Sequence, residues 1–341
     1  MKNFSYASPT TEAEVLSVLA AAPGETELIA GGTDLVHLLH HMVLTPERVV
    51  NLLGVPSLRD VELLDGGVVS IGATATLDVL LAHPYLNPYP AIGQAIEGIA
   101  SMQLQCQGTL GGELLQRPQC WFFRDGRGLL AAGGTMAAEG DNRFHAILGN
   151  QGPAKFVSAS RIAPALIALS ATARVIGPEE TDEAFIPVAD LFRTPRHEGE
   201  RENTLLPGQL LTHILLPPAD GAHQPDAQAR GFLASATYEV RHGAGPDYPL
   251  AAAAAALRIE GGVVREATVV IGHVAPTPWI SREAADALRG WTVDENLAES
   301  AGAAAVAPAT PLSNNAYKVQ LAKTAVKRAI LRAAGLETGG L

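Results

Sequence analysis

Two glycine clusters carry the chemistry that the residue types suggest. Leu28-Ile29-Ala30-Gly31-Gly32-Thr33-Asp34-Leu35 reads as a brief apolar strand that ends in two glycines and a helix start. In such a turn, consecutive backbone N–H groups point at one spot and small residues admit a close ligand, which suits a pyrophosphate. The same residues also fit an ordinary tight turn before a capped helix. Gly108-Thr109-Leu110-Gly111-Gly112-Glu113-Leu114 repeats the pattern downstream of Ile99-Ala100-Ser101-Met102-Gln103, with Thr109 adding a hydroxyl. Neither cluster is a G-x-G-x-x-G, and neither runs into Gly-Lys-Ser/Thr. Each loop is weak alone; two in one chain point to a large phosphate-bearing ligand.

Other residues could do chemistry but have simpler readings beside them. Gln116 to Arg124 and Asp141 to Ile147 place aromatics between arginines. These could stack on a cofactor or partner, or form a core aromatic cluster with arginines at the surface. His37, His40 and His41 share one predicted helix, and the spacing of His37 and His41 can hold zinc. No H-E-x-x-H and no third ligand accompany them, so no metal site is expected. Cys120 has no histidine near it in sequence and reads as a small buried thiol. With only Cys106 and Cys120, no disulfide framework is possible, and a reducing compartment fits.

The elements that must hold these loops follow from length and pattern. At roughly 150 residues per domain, 341 residues suggest two domains. The net charge of −11 argues against nucleic-acid and anionic-membrane partners, which need basic surface. A 47% hydrophobic and 17% charged chain is that of a large core. No apolar run approaches the ~18 residues of a membrane span. The start lacks an apolar stretch after Lys2, so no secretory leader and a cytoplasmic location are expected.

A helix is predicted over 11–23, a strand over Glu27 to Ala30, and a helix over 34–43 capped by Thr33 or Asp34 and ended by Pro46. Strands follow at Val49 to Leu53 and Gly67 to Gly72, the second paired through a Gly-Gly turn. Short strands and helices are expected to alternate to about Gly152. A buried helix at Ala163 to Ala171 and a strand at 173–177 come next. A second unit is predicted after the polar stretch 217–230. It holds a strand at Phe232 to Arg241, an alanine-rich segment at 251–257, a hairpin across Glu260-Gly261-Gly262, and a strand over 267–274. Two helices, Ala284 to Arg289 and Ala316 to Ala334, close it.

The two glycine loops, in this order, resemble the FAD-binding subunits of the xanthine dehydrogenase family, the molybdenum hydroxylases. GTLGGELLQRPQCWFFRDG, GDNRFHAILGNQG, TYEVR, PLAAAAAAL, IGHVAPTPW and PLSNNAYKVQLAKTAVKRAI are similar to its periplasmic-aldehyde-oxidase-like bacterial branch. The likeness spans nearly the whole chain. It implies an α+β fold: a vanillyl-alcohol-oxidase (PCMH)-type FAD-binding domain at 1–225, made of two α/β subdomains at about 1–55 and 56–225. A smaller α+β domain at 226–341, like the C-terminal domain of CO dehydrogenase flavoproteins, would follow.

The resemblance also implies a relay. A large molybdopterin-binding subunit would hydroxylate substrate, a small subunit with 2Fe-2S clusters would carry electrons, and FAD on this chain would pass them to an external acceptor. A heterotrimer is implied, with Trp121-Phe122-Phe123 and the C-terminal helix as candidate contacts. By position, Ile29, Ala30, Gly31, Gly32, Thr33, Asp34 and Leu35 would wrap the pyrophosphate. Ala100, Ser101, Leu104, Gly108, Thr109, Gly112 and Ser160 would line the rest of the flavin site, with Leu210 and Leu211 against its apolar parts. No catalytic side chain is implied.

Three positions depart from the family pattern: Glu113 stands where asparagine is usual, Arg161 where aspartate is, and Glu239 where lysine is. Glu113 and Arg161 are expected to pair with each other in the site, and either keep a modified FAD pocket or fill it. Filling it would make the chain a structural or assembly subunit. A stand-alone flavin oxidase is a third reading, but neither glycine loop offers an obvious attachment residue. The branch often carries a 4Fe-4S cluster between the aromatic segment and the NRFHAI stretch. Residues 125–153 contain no cysteine, so a loop without a cluster is expected.

Overall fold

The computed structural model describes residues 1–179, 181–219, 232–243 and 247–339. Most of the polar stretch 217–230, and with it the expected junction at 225/226, lies outside the described residues.

Strands β1 (Ser5–Ala7), β2 (Thr26–Ile29) and β3 (Arg48–Asn51) form a parallel sheet in the order β1-β3-β2. Helix α1 (Glu12–Ala20) starts at Thr11, whose Oγ1 accepts the Glu14 N–H at 3.2 Å. Its Val15, Leu16 and Leu19 are buried against Leu52, Val55 and Leu58. Helix α2 (Leu35–His40) is shorter than predicted. Met42 adopts a left-handed φ of 57° and ends it, so Pro46 does not. Asp34 stands at its N-cap but makes no capping bond.

The next sheet is antiparallel throughout: β4 (Val61–Leu63), β5 (Val69–Gly72), β6 (Thr172–Ile176), β7 (Glu183–Pro187) and β8 (Leu210–Leu216), in the order β4-β5-β8-β6-β7. Gly66 and Gly67, at φ 79° and 84°, make the turn between β4 and β5. The expected alternation of strands and helices up to Gly152 is corrected here. Between β5 and β6 the described chain holds only helices and loops. They are α3 (Leu77–Ala82), α4 (Pro90–Glu97), α5 (Met102–Gln107), α6 (Leu110–Leu114), α7 (Trp121–Arg124), α8 (Thr135–Glu139) and α9 (Ala163–Ala168). Glycine and proline recur through this stretch and break it into short helices and turns. The antiparallel sheet and the helices inserted between its strands are therefore α+β in arrangement, where α/β was expected for 56–225.

The C-terminal sheet runs β12-β11-β10-β9, all antiparallel: β9 (Phe232–Val240), β10 (Ala251–Glu260), β11 (Val263–Gly272) and β12 (Trp279–Ile280). Helices α10 (Arg282–Leu288), α11 (Glu295–Val306) and α12 (Tyr317–Ala333) follow. The sequence reading missed α11; Asp294 Oδ1 caps it by accepting the Leu297 N–H at 2.7 Å. Strand β10 explains the alanine run. Ala254 and Ala256 face a core shared with Ile92, Ala165 and Leu166, whereas Ala251, Ala253, Ala255 and Leu257 face Ala322, Val326 and Ile330. A strand covered on both faces needs no polar alternation. Alanine on both faces lets α9 and α12 lie close, and makes this sheet the wall common to both units.

Candidate functional site

The first glycine loop leaves β2 at Ile29 and enters α2 at Leu35. Gly31 abuts the second glycine segment so tightly that a Cβ there would lie 1.6 Å from the Gln107 carbonyl oxygen. Gly32 takes a φ of 73°. Among the described residues, the backbone N–H groups of Gly31, Gly32, Thr33 and Asp34 have no hydrogen-bond acceptor. Gly31, Gly32 and Asp34 are half-buried, where amides are normally paired, so this row of orphans marks a place for an external acceptor.

These amides border an open cleft of about 600 Å³. One wall is Ile29, Ala30, Gly31, Gly32, Thr33, Asp34 and Leu35; Thr109, Gly111 and Gly112 lie beside it, and Leu205 to Leu211 face it. Leu210 and Leu211 are buried in the floor. The Asp34 carboxylate does not confront the cleft as a free charge. It accepts the Arg117 N–H at 2.8 Å and pairs with Arg124 Nη2 at 2.6 Å.

The second loop contributes shape more than donors. The N–H groups of Leu110 and Gly111 go to the carbonyls of Ala75 and Ala73, and the Gly112 N–H goes to Thr109 Oγ1 at 3.3 Å. A Cβ on Gly111 would sit 2.9 Å from that of Ala73, so glycine is what brings α6 against the sheet.

Residues 193–209 make the far wall, which sequence reasoning did not find. They hold no glycine motif, and their placement rests on distant pairs: Arg201 with Glu27, Glu202 with Arg117, and Glu198 accepting the Leu129 and Leu130 N–H groups at 2.8 and 2.9 Å. Only the charge alternation of Gly199-Glu200-Arg201-Glu202 hinted at such ties.

The remaining expected site residues lie outside this cleft. Ser101 caps α5, its Oγ accepting the Leu104 N–H at 3.3 Å; Ala100 and Leu104 are exposed, and Gly108 is buried. Glu113, Ser160 and Arg161 cluster behind the second loop. The expected ion pair between Glu113 and Arg161 is not formed. Glu113 Oε1 instead accepts the Arg161 N–H at 2.5 Å, the Ile162 N–H at 3.3 Å and the Ser160 hydroxyl at 3.2 Å, and Oε2 accepts from the Gln116 amide. Burial pushes this carboxyl up to about 7. The chain direction at residue 161 turns its N–H toward Glu113 and its side chain away.

The Arg161 guanidinium meets Glu239 instead, Nη1 to Oε2 at 3.3 Å. The residues singled out at 161 and 239 thus pair with each other. Neither occupies the cleft.

Cys120 also differs from expectation. His145, distant in sequence, places Nε2 3.2 Å from its sulfur, although burial raises the thiol and lowers the imidazole, to about 4. Phe123 is core, packed with Leu38, Leu129 and Phe156, while Trp121 stacks edge-on with Phe144, which is 46% exposed. The rings of His37 and His41 are 4.4 Å apart. Among the described residues, no helix is long and apolar enough to cross a membrane.

An open cleft edged by unpaired glycine-loop amides defines a dinucleotide-binding chain of mixed helix and sheet. Residues 2–219 match the FAD-binding domain of molybdopterin dehydrogenases, and residues 236–333 match the CO dehydrogenase flavoprotein C-terminal domain. The aldehyde oxidoreductase FAD-binding subunit PaoB of Escherichia coli K12 is 32% identical, over 95% of this chain and 96% of that one. The carbon monoxide dehydrogenase medium chain of Afipia carboxidovorans is 26% identical, over 97% of this chain and 96% of its own. Among solved structures, quinoline 2-oxidoreductase from Pseudomonas putida 86 shares the fold at a TM-score of 0.74 and 24% identity, covering 98% of this chain and 99% of that one. The chain belongs to the FAD-binding subunits of the molybdenum hydroxylase family, and so is an oxidoreductase subunit.

Proposed function

We propose that this chain is the electron-transfer flavoprotein of a molybdopterin-dependent hydroxylase, receiving electrons from 2Fe-2S clusters on a small partner subunit and passing them to an external acceptor. The observation that carries the reading is the row of unpaired amides from Gly31 to Asp34 along an open cleft. The FAD-binding domain is of the PCMH type, spans 1–225 with subdomains at about 1–55 and 56–225, and is followed by the C-terminal domain at 226–341. Its partners are a large molybdopterin-binding and a small 2Fe-2S subunit, and the complex is cytoplasmic; the relatives' names, a medium chain and an FAD-binding subunit, support a multi-subunit assembly.

FAD supplies the ability to accept and release electrons singly or in pairs. The chain's own residues do the rest. The amides of Gly31 to Asp34 would hold the diphosphate, with Arg124 keeping Asp34 from repelling it. Leu210 and Leu211 would pack against the apolar parts. Thr109 and Gly112 would line the cleft beside them, and Ala100, Ser101, Leu104, Gly108, Glu113, Ser160 and Arg161 would support the rest of the flavin site from behind the second loop. A 4Fe-4S cluster needs four thiolates and the chain has two cysteines, so this subunit carries none.

The scaffold reading draws no support from the comparisons, and the cleft is not plugged. The deciding experiment is native purification with the partner subunits, followed by a visible spectrum and flavin-to-protein ratio. About one FAD per chain is expected; a colourless chain would refute the proposal.

A further inference from the structure

We propose that Arg161, held by Glu239, is a positioning residue for the cleft, acting through the segment 98–107 that abuts Gly31, an inference that rests on the FAD-site reading above. Both side chains are almost fully buried, 3% and 7% exposed, where a charge pair persists only if something fixes its geometry. What it fixes is Gly98, the residue that ends α4. The Gly98 carbonyl accepts from Arg161 Nη1 and, at 2.9 Å, from Arg241 Nη1. Glu239 is pressed so close that a Cβ on Gly98 would lie 2.5 Å from Oε2.

Gly98 leads into Ser101, which caps α5, and α5 ends at Gln107, whose carbonyl presses on Gly31, so the clamp sets where the segment behind the first glycine loop starts. The same guanidinium lies 5.4 Å from the centre of the Tyr248 ring and donates to the Asp247 carbonyl. Tyr248 in turn donates to Gln116 Oε1 at 2.8 Å, and the Gln116 amide donates to Glu113. One buried cation thereby joins the end of α4, the β9–β10 connection and the helix after the second glycine loop. Glu239 comes from the C-terminal sheet, so that domain acts on the first glycine loop from a distance.

The test is FAD affinity of the full chain, measured by flavin fluorescence on protein stripped of flavin. The variants are Arg161→Glu, Glu239→Arg and the double reversal. Each single reversal puts like charges together and should raise Kd at least tenfold, while the double restores the ion pair but not the donors to the Gly98 and Asp247 carbonyls and should lose clearly less than the two single losses multiplied. Independent, multiplying losses in the double, or singles that bind as the parent does, overturn the proposal. Should the reversals fail to fold, Glu239→Gln keeps the shape without the charge. It should weaken binding three- to tenfold and change the visible circular dichroism of bound flavin; no change in either overturns the proposal. Gly302→Ala, whose Cβ would lie 2.7 Å from the Lys323 carbonyl between two helices of the same domain, separates positioning from general stability. Its FAD affinity should stay within twofold of the parent, and a loss equal to that of the clamp variants would make the role merely structural. A parent chain that binds no FAD fails the underlying reading and this inference with it; a parent that binds while all variants match it fails this inference alone.

Discussion

Glu113 offers the sharpest test of how this site is built. Its carboxyl is raised from the ordinary 4.5 to about 7, chiefly because burial disfavours the charge. The donors from Ser160, Arg161, Ile162 and Gln116 offset only part of that cost. A carboxyl raised on folding binds its proton more tightly in the native state. Its contribution to stability is full below pH 4.5 and is lost as pH rises through about 7. At 1.36 kcal/mol per pH unit of displacement, the loss across that window is at most about 3 kcal/mol. Glu113→Gln removes the titration but keeps the shape. It also carries a fixed cost, because the new amide meets the Gln116 amide donor to donor. The useful quantity is therefore the slope of the difference and not its size at one pH. Urea unfolding of the parent and Glu113→Gln at pH 5, 6, 7 and 8 should show the variant gaining about 2 to 3 kcal/mol on the parent from the lowest to the highest pH. Groups common to both proteins cancel in that difference. Parallel curves would refute the argument that burial dominates at Glu113.

Four further outcomes follow from the packing elsewhere. Gly31→Ala drives a Cβ into the Gln107 carbonyl and should cut FAD affinity at least tenfold, about 1.4 kcal/mol, in a titration of stripped protein. Gly152→Ala, where nothing lies within 4 Å, should leave affinity unchanged. Lys318 is 1% exposed and donates to the carbonyls of Phe144, His145 and His273. Lys318→Met strips all three, and urea unfolding should show a loss of about 2 to 4 kcal/mol. Ala254→Leu overfills the space between β10 and the helices on that face and should cost about 1 to 3 kcal/mol in the same measurement.

The sequence by itself determined more of the local structure than of the site. Val15, Leu16 and Leu19 behind Thr11 spelled a capped amphipathic helix, and Gly261-Gly262 between two apolar runs spelled a hairpin. Both depend on neighbours in the chain, so spacing is enough to read them. The first glycine loop was legible for the same reason, since a strand, two glycines and a helix start already aim the amides. The alanine run at 251–257 could not be assigned from pattern, because a strand buried on both faces loses the alternation that identifies strands. Helix α11 was missed since its small residues carry little periodic contrast.

Tertiary structure alone decided which residues share the cleft. The wall at 193–209 is held by Glu27, Arg117 and the Leu129 and Leu130 amides, partners separated from it by 68 or more positions. It also decided the meaning of the odd charges. At residue 161 the backbone amide serves one acid and the side chain another, 48 and 78 positions away. Composition shows two unexpected acids and a base. Only the fold shows that Arg161 answers both, because ion pairing depends on distance in space, and a linear chain does not state it.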